Sequence, residues 1–193
     1  MELYNRLCTI TKQENVMKDE PMKKHTTFRI GGPADYFVTP ESREEIQAIV
    51  ELCKKEEIPY SVIGNGSNLL VGDGGYRGAV IQIYKNMSAV TVEGTEITVQ
   101  AGALLSSVAA AAKNAALTGF EFAGGIPGTM GGAVVMNAGA YGGEMKDIIE
   151  KVYVLDENGA QLELDRDALD LGYRHSCIPE KKYIVTKVVL ELV

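Results

Sequence analysis

Ile46, Ile49, Val50 and Cys53 recur at the i, i+3, i+4, i+7 spacing of a helix with one buried face. Ser42, three residues before Glu45, is a capping-box signal and predicts that the helix opens there. Pro59 interrupts, and Tyr60–Ile63 and Ala79–Ile83 read as short apolar strands, with a further strand at Ala34–Val38 upstream of the helix. Residues 1–20 carry only a weak helical pattern and read as peripheral. Strand, helix, strand, loop, strand predicts a small βαβ lobe.

Beyond residue 84 the spacing becomes that of antiparallel strands. Ala89–Val92 and Ile97–Gln100 flank Glu93-Gly94-Thr95-Glu96, a hairpin signal. Leu104–Leu117 is alanine-rich and helical, with Gly119 placed as its C-terminal cap. Val152–Leu155 and Gln161–Leu164 flank Glu157-Asn158-Gly159, a second hairpin. Asp165 is placed to cap a short helix through Leu169, and Tyr183–Val193 closes the chain as a β-rich run. The pattern predicts an α+β chain of two lobes, residues 1–84 and 85–193.

One stretch fits neither period. Nine of the 21 glycines lie between Gly119 and Gly143. A glycine inside a regular element costs roughly 0.5–1 kcal/mol against alanine, so another interaction must compensate. Backbone lying directly against a ligand would do so. A second cluster, Gly64-Asn65-Gly66-Ser67-Asn68, follows the strand ending at Ile63. Two side-chain-poor loops together suggest a large phosphate-bearing cofactor held by main-chain amides, with Gly66 and Gly128 bare because the cofactor approaches them.

Neither loop matches a standard phosphate fingerprint. Gly64-x-Gly66-x-x-Leu69 lacks the third glycine of a dinucleotide-binding turn, and no Gly-Lys-Ser/Thr follows it. What it offers is a run of N–H groups able to form an anion nest, with Ser67 and Asn68 as added donors; a plain Gly-Asn surface turn is the alternative. In Gly124-Gly125-Ile126-Pro127-Gly128-Thr129-Met130-Gly131-Gly132, Thr129 is placed to cap a short helix through Val135. Free amides at that helix start would suit a pyrophosphate, and Asn137-Ala138-Gly139-Ala140 would suit a flat ring. A tightly packed crossover is the alternative there. Arg174, in Tyr173-Arg174-His175-Ser176, is either a bidentate carboxylate ligand or a surface loop arginine.

Composition narrows the partners. A net charge of −7 argues against nucleic acid and membrane surfaces, which both want a basic face. Cys8, Cys53 and Cys177 are odd in number and form no C-x-x-C, as expected of reduced thiols in a cytoplasm. His25 and His175 are far apart without acidic partners at ligand spacing, so no metal site is expected.

In order, Thr26-Thr27-Phe28-Arg29-Ile30-Gly31-Gly32-Pro33-Ala34, Gly64-Asn65-Gly66-Ser67-Asn68-Leu69-Leu70, Gly125-Ile126-Pro127-Gly128-Thr129-Met130-Gly131-Gly132, Met136-Asn137-Ala138-Gly139-Ala140-Tyr141-Gly142 and Tyr173-Arg174-His175-Ser176 resemble the UDP-N-acetylenolpyruvoylglucosamine reductase family. The resemblance runs from about residue 20 to the end. It implies an FAD-binding fold of the vanillyl-alcohol-oxidase (PCMH) type, with two α+β lobes clasping FAD. It assigns cofactor contacts to Gly64, Asn65, Gly66, Ser67, Asn68 and Leu69, to Gly125, Ile126, Pro127, Gly128 and Thr129, and to Gly131, Gly132, Ala133, Asn137, Ala138 and Gly139. Arg174 matches the family arginine that polarises the substrate carboxylate, with Tyr173 beside it. The implied reaction is the FAD-dependent, NADPH-using reduction of UDP-N-acetylglucosamine enolpyruvate to UDP-N-acetylmuramate in peptidoglycan synthesis; a cytoplasmic monomer is expected.

The family's proton-donating serine and partner glutamate belong to a C-terminal substrate-binding domain, and the expectation is that this chain lacks it. It is then the FAD-binding part and is inactive alone. The alternatives are an FAD-binding module without turnover and a sugar or aldonolactone oxidase of the same superfamily.

Overall fold

The Ser42 hydroxyl accepts from the Glu45 amide at 3.2 Å and starts helix α2, Arg43–Lys55. The Glu45 carboxylate does not complete the expected reciprocal box. It reaches one residue further back and accepts from the Glu41 amide at 2.8 Å. The apolar stripe is buried as its spacing predicted: Ile46, Ile49, Val50, Leu52 and Cys53. Each such side chain contributes roughly 1.5–3 kcal/mol.

The computed structural model describes residues 2–193. It divides into two units, one ending at Asn86 and the other running Met87–Val193. In the first, helix α1 (Leu3–Ile10) lies beside α2. Strands β1 (Val16–Pro21), β2 (Pro33–Val38), β3 (Tyr60–Ile63) and β4 (Tyr76–Gln82) form a sheet ordered β1-β2-β4-β3. β2, β4 and β3 are parallel, as a βαβ lobe requires, and β1 is antiparallel to β2.

β1 falls within the stretch read as weakly helical, and it corrects that reading. It is a sheet edge carrying Lys18, Asp19 and Glu20, with Asp19 at φ +51° and outside the regular register. Charges and a kink protect an edge from further pairing, and they also erase the apolar alternation that marks a strand. Met22, Ala34, Phe37 and Val80 form a core cluster on this sheet, with Leu69 and Val71 packed against it.

The second unit is built on an antiparallel sheet ordered β10-β9-β11-β6-β5. The predicted hairpins are β5 (Val90–Glu93) with β6 (Glu96–Gln100), and β9 (Ile149–Leu155) with β10 (Gln161–Asp165). The Asp156 carboxylate accepts from the Asn158 and Ala160 amides, both at 2.8 Å, and shapes the second turn. β11 (Ile184–Glu191) is central, pairing with β6 and β9, and is buried along most of its length. A two-residue ladder, β7 (Gly139–Ala140) with β8 (Gly143–Glu144), lies outside this sheet.

Helix α3 spans Leu105–Asn114 and stops before Gly119. The closing left-handed residue is Ala116, at φ +56°, where Leu117 N–H reaches the Ala112 carbonyl at 2.9 Å. Gly119 sits in the next turn, donating to a Glu121 carboxylate oxygen at 2.8 Å. Helix α4 (Met130–Val135) packs on β11 and β6, and α5 is a single turn, Cys177–Glu180. No helix among the described residues is long and apolar enough to cross a membrane.

Candidate functional site

In the first unit, β3 ends at Ile63 and the chain turns through Gly64–Leu69. Three bonds anchor the turn: Gln82 Nε2 to the Gly64 carbonyl at 3.0 Å, and Thr27 N–H and Oγ1 to the Gly66 carbonyl at 3.2 and 3.3 Å. Among the described residues, no backbone carbonyl accepts from the amides of Gly66, Ser67 or Asn68. This is the arrangement an anion nest needs. The Leu69 side chain packs against the core cluster, so it offers main chain only.

The chain at residues 25–27 shapes this turn, and Gly32 meets the loop that follows it. Gly66 has φ +69°, and a Cβ there would stand 1.9 Å from the His25 carbonyl oxygen. At Gly32, a Cβ would stand 1.9 Å from the Asp73 oxygen. Glycine is therefore needed at both positions for two protein backbones to meet. For Gly66 this corrects the expectation that cofactor approach excludes a side chain.

A cleft of about 540 Å³ adjoins the turn, lined by Lys24, His25, Thr26, Thr27, Asn65, Gln82 and Lys85 among others. Its lining offers lysine, histidine, hydroxyl and amide donors in a chain of net charge −7, with Lys24 and His25 both also bonded to the Glu20 carboxylate. His25 stacks on Phe37 with ring centroids 3.9 Å apart, and its Nε2 lies 3.0 Å from Glu20 Oε1. Burial pushes the Glu20 carboxyl up, but hydrogen bonds from His25 and Lys24 outweigh it and hold the group below its usual range.

In the second unit, the glycine tract leads into α4. Met130 and Gly131, the first two helical residues, donate to the carbonyls of Ala103 and Ala101, both at 2.8 Å. Thr129 occupies the capping position without a side-chain cap bond. The expected helix start with free amides is corrected accordingly: Met130 and Gly131 are used by the fold. Gly131 is bare because a Cβ would press to 3.0 Å on the Ala101 Cβ, and Ala133 is buried.

Gly125 and Gly132 differ. Both are exposed, and among the described residues no backbone carbonyl accepts their amides. A Cβ on Gly125 would meet nothing within 4 Å, and one on Gly132 only Thr129 Oγ1 at 3.5 Å. Neither has a left-handed backbone. No protein contact explains these glycines, whereas a ligand lying on the main chain would. Between them Ile126 and Gly128 are half-buried and Pro127 is exposed.

Asn137 is 4% exposed at φ +41°. Its Nδ2 donates to Glu144 Oε2 at 2.7 Å and to the Gly172 carbonyl at 3.0 Å, and its Oδ1 accepts from the Lys146 amide at 2.9 Å. These bonds occupy both hydrogens of the side-chain amide and its oxygen. The Glu144 carboxyl is held below its usual range by the Lys146 ammonium and the Asn137 amide. Ala138 is half-buried, donating to the Ala133 carbonyl at 2.8 Å. At Gly139 a Cβ would come within 2.8 Å of the Gly143 carbonyl, so the β7–β8 hairpin accounts for that glycine.

Gly172 and His175 exchange two backbone bonds of 3.1 Å, presenting Tyr173 and Arg174 at the tip of a two-residue turn. Tyr173 is 90% exposed, and Arg174 is exposed at φ +51°. Among the described residues no carboxylate lies within ion-pair distance of Arg174. The structure thus joins Asn137 to the Tyr173–Arg174 turn, a link the sequence did not signal. No group of three or more His, Cys, Asp or Glu among the described residues is placed to hold a metal.

Residues 34–165 match the FAD binding domain family. The chain belongs to that family. It is 53% identical over 190 residues to the UDP-N-acetylenolpyruvoylglucosamine reductase of Alkaliphilus metalliredigens, covering 98% of this chain and 62% of that protein. The crystal structure of UDP-N-acetylenolpyruvylglucosamine reductase from Thermus caldophilus superposes with a TM-score of 0.76 at 41% identity, over 90% of this chain and 60% of that one. p-Cresol methylhydroxylase superposes at 0.73 with 18% identity over 98% of this chain and 42% of its own, a likeness of fold alone. The α+β, PCMH-type FAD-binding fold and the resemblance to the reductases are borne out. The chain spans less than two thirds of the reductases it matches.

The residues present fit the cofactor of the family. In the first unit, the amides at Gly66–Asn68 that no backbone carbonyl accepts, with the polar cleft beside them, suit a phosphate; in the second, the bare backbone at Gly125 and Gly132 leaves room for a ligand.

Proposed function

We propose that the chain is the FAD-holding part of a reductase that converts UDP-N-acetylglucosamine enolpyruvate to UDP-N-acetylmuramate at the expense of NADPH. The observation that carries the reading is the pair Gly125 and Gly132. Their bareness has no cause within the protein, and their amides are unspent. FAD, when bound, supplies hydride transfer between the nicotinamide and the enolpyruvyl double bond.

The chain's own groups bind and orient. Main-chain amides of Gly66, Ser67 and Asn68 take the diphosphate, with Lys24 and Lys85 adding positive charge. Gly125 and Gly132, with the backbone of their neighbours, accept the cofactor at close range. Arg174 pairs with the substrate carboxylate and opposes the negative charge that develops as the double bond is reduced. Tyr173 walls the same pocket.

Ser176 is not the proton donor. The residue is 1% exposed, and its hydroxyl donates to the Val135 carbonyl at 2.7 Å. We place the donor in the part of the reductases that lies beyond the matched length. Unpaired cysteines fit a reducing, cytoplasmic setting, and the acidic charge argues against nucleic-acid and membrane-surface partners; we propose a monomer.

Titrating the purified chain with FAD tests the reading. Binding is expected to give oxidised-flavin visible absorbance that survives gel filtration. A colourless protein with no measurable affinity for FAD overturns it.

A further inference from the structure

Arg174 stands on a turn whose two ends are tied to one short segment of chain. At one end, the Asn137 side chain holds the Gly172 carbonyl at 3.0 Å. At the other, the buried Ser176 hydroxyl holds the Val135 carbonyl at 2.7 Å. Asn137 is itself immobilised. Its second Nδ2 hydrogen goes to the Glu144 carboxylate and its Oδ1 receives the Lys146 amide. A buried amide with both ends bonded has one orientation, because turning it would break every bond at once. Its left-handed backbone, at φ +41°, is one that asparagine adopts more readily than most residues.

The guanidinium beyond this framework is exposed and meets no carboxylate among the described residues. A long side chain on a loose tip would lose much freedom on binding an anion, and a fixed backbone removes part of that cost. The exchange of bonds between Gly172 and His175 gives the tip its shape, but nothing in that exchange fixes where the tip stands. The Asn137 bond to the Gly172 carbonyl does so at the near end, as the Ser176 bond to the Val135 carbonyl does at the far end.

We propose that Asn137 is the positioning residue for Arg174: by clamping the Gly172 carbonyl it aims the guanidinium at a carboxylate-bearing ligand. The identity of that ligand, the enolpyruvyl UDP-sugar, rests on the function proposed above. The clamp itself does not.

Two variants separate the clamp from general stability. Asn137→Gly keeps the left-handed backbone and deletes the side chain. Asn137→Asp keeps the shape and replaces the donor with an acceptor facing two oxygens. In the FAD-loaded chain, NMR reads amide exchange at His175, the order parameter of the Arg174 Nε–H, and exchange at Val188 in the central strand as the control for folding. Titration with UDP-N-acetylglucosamine enolpyruvate reads affinity. Both variants are expected to raise His175 exchange about tenfold, as for the loss of one buried hydrogen bond, and to lower the Arg174 order parameter, with Val188 unchanged. Asn137→Gly is also expected to weaken the UDP-sugar, and to add nothing further in an Arg174→Ala background.

Unchanged His175 exchange and Arg174 order in both variants would overturn the inference, as would fully additive losses in the double variant. If Arg174→Ala leaves UDP-sugar affinity intact while Asn137→Gly still frees the turn, the substrate assignment falls and the clamp stands.

Discussion

The Gly66 α-carbon faces the His25 carbonyl so closely that a Cβ would lie 1.9 Å from its oxygen. The turn proposed to hold the diphosphate is thus shaped by a second loop, and its glycine serves the fold before it serves a ligand. Gly66→Val is expected to destabilise the chain without cofactor by at least ~1–3 kcal/mol, because backbone must move and the φ of +69° is strained for valine. Urea unfolding of the FAD-free protein reads this. Wild-type stability combined with weak FAD binding would restore the original explanation.

Gly132→Ala should act with the opposite sign. The position is an exposed one in the first turn of α4, and the new methyl meets only Thr129 Oγ1 at ordinary contact distance. Alanine is favoured over glycine in a helix by about 1 kcal/mol, so the FAD-free protein should gain stability while FAD affinity falls. Gly125→Ala should leave stability within ~0.5 kcal/mol and also weaken FAD. Thermal melts with and without FAD check both. Unimpaired FAD binding in the pair would remove the observation on which the proposed function rests.

Arg174→Ala removes an exposed side chain that has no ion-pair partner among the described residues. Stability should hold within ~0.5 kcal/mol, and FAD affinity should hold as well. Binding of the enolpyruvyl UDP-sugar should lose about 1.5–3 kcal/mol, the worth of a charged hydrogen bond. Calorimetric titrations of the two ligands separate these effects, and loss of FAD would reassign the residue to the cofactor.

Cys53 supplies a test of burial in α2. Burial pushes its thiol up to about 11, against ~8.5 in an unfolded chain. The unfolded state therefore gives up its proton first. Stability should fall as pH rises from ~8.5 to about 11, by about 1.4 kcal/mol per unit where the difference is fully expressed. Urea unfolding across that range should show a shallower decline in Cys53→Ala. Equal slopes would show that the thiol ionises freely in the folded protein.

What could be read early was what repeats locally. Ile46, Ile49, Val50 and Cys53 announced α2, and Glu157-Asn158-Gly159 announced a hairpin, since each signal lies within one turn of chain. β1 was illegible because Lys18, Asp19 and Glu20 give an edge strand no apolar alternation. Gly119 drew the helix end too far, since the closing bond from Leu117 to Ala112 let Ala116 take the left-handed position.

The amino-acid sequence by itself determined two α+β lobes, two side-chain-poor loops and the family they belong to, because period, turn chemistry and ordered motifs are local properties. Only the tertiary structure decided which glycines are bare because the fold leaves no room for a side chain and which are bare with room to spare. Gly66, Gly131 and Gly139 face protein, while Gly125 and Gly132 face open space. It likewise decided that Asn137 reaches across 35 residues of chain to hold Gly172. A glycine carries no side chain to show its neighbour, and a long-range hydrogen bond leaves no period in the chain, so both had to await the packed backbone.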